Sequence, residues 1–121
     1  MQNFLKTPET TVYRNVNGEL VVIQLETSRF YYFSSEAEAI LDFFKSANSL
    51  DGLIEQSNVL KADPKEIEHI KEFCHSLLDK KILQLEKKVG RQPLKNKMTY
   101  RRPTFLREGE KTLDQISFAS P

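Results

Sequence analysis

The chain is short of the residues on which several kinds of chemistry depend. Its 121 residues include one cysteine, Cys74, so no internal disulfide can form and a reducing cytoplasm fits. The two histidines, His69 and His75, lie six apart on a helical segment and therefore on different faces, with no CxxC pair to join them. A metal centre needs ligands that converge on one point. The four glycines are scattered and form no phosphate-cradling loop. No apolar run approaches the roughly 18 residues of a membrane span, and the first residues lack a signal-like stretch. Carboxylates are numerous but fall mostly on helix exteriors. These shortages predict a non-catalytic cytoplasmic protein with no cofactor and no metal, in which Cys74 is a small buried hydrophobe.

What the chain does have is charge, unevenly spread. Residues 1–86 hold 9 Lys/Arg against 14 Asp/Glu, a net of −5, while residues 87–121 hold 9 against 3, a net of +6. An acidic body with a basic tail predicts mutual attraction, or a tail that meets another acidic surface. The length suits one domain, 1–86, with a short appendage.

The body reads as three strands and then three helices. "TVYRNVNGELVVIQLE" sets two β-branched runs around Asn17-Gly18, a pair suited to a type I′ turn, and predicts strands over Thr11–Val16 and Glu19–Leu25. "FYYF", Phe30–Phe33, predicts the third strand of an antiparallel meander, with Tyr31 and Phe33 on one face and Phe30 and Tyr32 on the other. Ser35-x-x-Glu38 reads as a capping box that opens a helix carrying Ala37, Ile40, Leu41 and Phe44. A second helix is expected from about Leu50 to Ser57.

The third helix has Asp63 as its cap, Pro64 at its first position and Glu66 to complete a box. Ile67, Ile70, Cys74, Leu77 and Leu78 make its apolar stripe, flanked by His69, Phe73, Ser76 and Lys80. Phe73 sits at the border, as core or as groove wall. Lys80 and Lys81 suit the dipole at the helix end. Ile82–Glu86 reads as a short strand or a frayed helix end, and "KKVGRQPLKNKM", without apolar periodicity, as a basic linker over 87–98.

The final segment, 99–121, opens with "TYRRPTFLREGE". Solvated tails are usually poor in aromatics, yet Tyr100, Pro103, Phe105 and Leu106 stand here among Arg101, Arg102 and Arg107, and Gly109 follows. An aromatic strand such as "FYYF" at a sheet edge can accept an added strand.

The stretches "GELVVIQLETSRFYYFSSEAEAILDFF", "SLDGLIEQ" and "DPKEIEHIKEFCHSLLDKKIL", over roughly residues 10–85, together resemble the PqqD-like family of RiPP recognition elements. The resemblance implies an α+β, winged helix-turn-helix-like fold, a three-stranded antiparallel sheet followed by three helices. Such domains bind the leader of a precursor peptide as a strand added to the third strand, in a groove shared with the third helix. Carried onto this chain, the groove residues are Phe30, Tyr31, Tyr32, Phe33, His69, Ile70, Phe73, Ser76 and Leu77. Tyr100-x-x-Pro103-x-Phe105-x-x-x-Gly109 resembles the lasso-peptide leader motif, with Phe105 where leucine is usual. A lasso leader usually carries threonine next to last; with Pro121 as the last leader residue, Ser120 holds that place. Met98 reads as the start of an originally separate leader.

Together these resemblances imply a leader recognition protein of lasso-peptide biosynthesis. It would present its ligand to a cysteine-protease-like leader peptidase and an ATP-dependent macrolactam cyclase. The leader is supplied in cis by residues 99–121, as a fourth strand, or in trans by a separate precursor. Tyr100 and Phe105 are the expected anchors, and Arg101, Arg102 and Arg107 are expected to meet the acidic body. Pro103 has no N–H to give, so its position must face away from the partner strand. The alternative is a winged-helix DNA-binding regulator with a basic C-terminal arm. The acidic body, with Glu66, Glu68, Glu72 and Asp79 on the third helix, opposes it, and neither nucleic acid nor membrane is expected as a partner.

Overall fold

The computed structural model describes residues 4–88 and 100–109. Met98, Thr99, the expected linker beyond Lys88, and the tail from Glu110 through Ser120 and Pro121 lie outside the described residues. Asn17 and Gly18 both take positive φ, 52° and 84°, as a type I′ turn requires. The chain reverses there between β2 (Thr11–Val16) and β3 (Glu19–Gln24), and again at Ser28 before β4 (Arg29–Ser34). Leu20 lies opposite Phe33 and Val22 opposite Tyr31. Their side chains are buried on the face that meets the helices, each worth about 1.5–3 kcal/mol of burial.

The main sheet has four antiparallel strands, the three of the meander and a fourth from the tail. Its order is β2-β3-β4-β6, where β6 (Phe105–Glu108) comes from the tail. A second, two-stranded sheet pairs β1 (Phe4–Lys6) with β5 (Gln84–Glu86), so the Ile82–Glu86 stretch ends as a strand. No strand was expected over Phe4–Lys6.

The described residues contain four helices, not three: α1 (Ala37–Phe43), α2 (Leu50–Glu55), α3 (Asn58–Lys61) and α4 (Pro64–Asp79). The extra one arises at Ser57, whose extended backbone (φ −134°, ψ 121°) breaks the expected Leu50–Ser57 helix. Its hydroxyl accepts the Leu60 N–H and so caps α3. The Ser35 capping box does not form either. Glu36 occupies the N-cap of α1 without a side-chain bond, and Ser35 offers only its carbonyl, to the Glu38 N–H.

α4 begins as expected at Asp63, whose carboxylate accepts the N–H groups of Lys65 and Glu66. The reciprocal half of the box is missing, because the Asp63 N–H is already donated to the Leu60 carbonyl at 3.2 Å. The Glu66 carboxylate is thereby left for another use. At the other end Lys81 takes φ 62°, and the N–H groups of Ile82 and Lys81 return to the carbonyls of Leu77 and Leu78. This is a Schellman closure built without glycine. It places Lys80 at the C-cap and Lys81 just beyond it, past the last helical turn.

Candidate peptide-binding groove

β4 and α4 form the two walls of a groove, and residues 100–109 lie in it. Phe33 on β4 meets Phe73 of α4 edge to face at 5.6 Å, and His69 stacks on Phe73 one turn earlier. Phe73 is therefore both core and wall: it is buried and belongs to the central apolar cluster. Behind it Ile70 and Leu77 are fully buried core residues. Ser76 donates to the Phe73 carbonyl of its own helix, so its hydroxyl is engaged away from the strand. Cys74 is buried, and burial pushes its thiol up to about 12, which leaves it no thiolate near neutral pH.

The strand enters through Tyr100, 9% exposed and part of the central cluster. Pro103 is also buried, and its carbonyl lies 3.0 Å from Nε2 of His69. A carbonyl can only accept, so the ring donates there. Because the paired strand starts after Pro103, its missing N–H costs the ladder nothing. The Ser34 N–H donates to the Thr104 carbonyl (2.8 Å), and the Ser34 hydroxyl accepts the Thr104 N–H (2.9 Å). At the far end the Gly109 N–H donates to the Phe30 carbonyl at 2.8 Å.

The pairing of β6 with β4 contains a bulge. Phe105 faces Phe33, yet Arg107 faces Tyr32 and Glu108 faces Tyr31, so Leu106 is the extra residue. Phe105 and Arg107 consequently point to opposite sides of the sheet. Phe105 packs against Phe33 at 5.4 Å with the Lys80 ammonium 4.6 Å from its ring centre. Phe105 stays 40% exposed, so Tyr100 and Pro103, rather than Tyr100 and Phe105, are the buried anchors. On the other side the Arg107 guanidinium lies 4.1 Å from the Tyr32 ring centre and reaches Glu19. Phe30, on that same side, touches Gly109: a Cβ there would overlap the Phe30 ring.

Charge complements shape. Glu66 accepts from the Tyr100 hydroxyl at 3.1 Å and from Nε and Nη2 of Arg102. The Arg102 guanidinium holds the Glu66 carboxyl below the usual carboxylate range. Burial, and then the bond to Glu66, raise the Tyr100 phenol. Arg29 pairs with Glu108 at 3.5 Å. Arg101 is exposed and borders a depression lined by Glu36, Glu38 and Asp42.

Five residues that engage the strand lie outside the expected groove set: Glu19, Arg29, Ser34, Glu66 and Lys80. Lys80 could have been found from its place beside the α4 stripe. Glu19, Arg29 and Ser34 need the sheet register, and Glu66 reads from the sequence as part of the helix cap. Among the described residues no three His, Cys, Asp or Glu side chains are grouped to hold a metal, and no helix is long and apolar enough to cross a membrane. No protein-family model, curated protein or solved structure matches the chain, and the groove is characterised by its own geometry.

Proposed function

We propose that this chain is a non-catalytic recognition protein that holds the leader of a precursor peptide as an added β-strand. Its setting is the biosynthesis of a ribosomally made, post-translationally modified peptide, and the spacing of Tyr100, Pro103, Phe105 and Gly109 favours a lasso peptide. We read the α2–α4 helices with the β2–β4 meander as a winged-helix-like arrangement. The bound segment is thereby offered to a leader peptidase and an ATP-dependent cyclase. One observation carries the reading: residues 100–109 occupy the β4–α4 groove, main chain paired to β4, Tyr100 and Pro103 buried. Main-chain pairing supplies affinity whatever the sequence, and pockets for particular side chains supply choice. The tether raises the local concentration of the segment to roughly millimolar.

The test titrates a fluorescent peptide of residues 99–121 into a chain that ends at Lys88. Saturable binding is expected, weakened about tenfold or more by Tyr100→Ala or Pro103→Ala in the peptide. Affinity indifferent to both substitutions overturns the reading. So does steeply salt-dependent binding of the full chain to duplex DNA without any peptide binding.

A further inference from the structure

Tyr100, Pro103 and Phe105 supply apolar contacts that many extended peptides can offer. Two arginines set this strand apart, each held by a glutamate on a different side of the sheet. On the helix side, Glu66 is released from capping because the Leu60 carbonyl already takes the Asp63 N–H. Its carboxylate instead gathers the Tyr100 hydroxyl and the Arg102 guanidinium, with its side chain only 17% exposed. On the outer side, Nη1 and Nη2 of Arg107 reach the two oxygens of Glu19 at 3.3 and 3.0 Å, across the face of Tyr32. Both contacts use the planar fork of arginine, which lysine does not have.

The spacing follows from the bulge. In a regular strand Phe105 and Arg107 would share a side, and Arg107 would point toward α4, away from Glu19. The extra residue, Leu106, turns Arg107 over. Resting on the strand-docking reading above, we propose that Glu66 and Glu19 are the specificity-determining residues of the groove. They select extended basic peptides of the pattern Tyr-x-Arg-Pro-x-Phe-x-Arg. A peptide with carboxylates at the arginine positions meets like charge at both ends of the groove.

Charge exchange in the full chain tests this. Four chains are compared: the wild type, Glu66→Arg, Arg102→Glu and the double exchange. The readout is amide hydrogen exchange at Ser34 and Gly109, whose N–H groups are bonded across the β4–β6 seam. Each single reversal is expected to speed exchange at both amides about tenfold or more, and the double exchange to return most of that protection. Amides of β3 are expected to stay unchanged. A cation in the first turn of α4 opposes the helix dipole, so Glu66→Gln serves as a second variant, expected to lose about threefold or more. The same cycle applies to Glu19 and Arg107. Additive single effects, or a double exchange no better protected than its parents, overturn the inference and leave docking intact. Ser34 and Gly109 amides unprotected in the wild type overturn docking itself.

Discussion

Gly109 shows how much a single residue decides. Its main chain lies so close to Phe30 that a methyl group would overlap the ring, and Phe30 is fully buried and cannot swing aside. Gly109→Ala is therefore expected to weaken docking of residues 100–109 by about 1–3 kcal/mol. The loss should appear as faster exchange of the Ser34 amide, with protection in β3 retained. The sequence marked Gly109 as a point of the motif but not why it must be glycine, since the ring it touches is 79 residues away. Glu66 is the reverse case. Its position three residues after Asp63 has the form of a capping box, and only the bond from Asp63 to Leu60 shows that the box is left open.

At the scale of elements, what could be read was local. The β2–β3 hairpin is specified by two adjacent residues, and α4 by Asp63, Pro64 and the apolar stripe. β1 and α3 were not legible. β1 is three residues long and pairs with a strand some eighty positions later, while α3 depends on Ser57 capping forward rather than closing α2. The β6 bulge was equally hidden, because an alternating pattern cannot reveal an extra residue in its partner's register. The end of α4 carries a testable cost. Lys81 sits in the left-handed region, where glycine is free of the Cβ penalty. Lys81→Gly is expected to stabilise the fold by about 0.5–1 kcal/mol, read as a rise in Tm.

For the whole molecule, the acidic body and the described part of the tail meet at defined pairs, and this gives docking a pH window. The Glu66 carboxyl is lowered when Arg102 is bound, so its contribution is complete above the ordinary carboxylate range and fades as pH falls through it. The Tyr100 phenol is raised, so its contribution is complete below the ordinary value of 10.0 and fades above it. The docked population should be flat between about pH 5 and pH 10 and fall on either side; the Gly109 amide chemical shift against pH reports it.

The pairing of β6 with β4 also bears on kinetics. A groove already filled by its own chain offers an incoming peptide no vacant seat. Capture of a second strand must wait for β6 to leave. The rate at which any free peptide is taken up then levels off, as its concentration rises, at the rate at which residues 100–109 peel away.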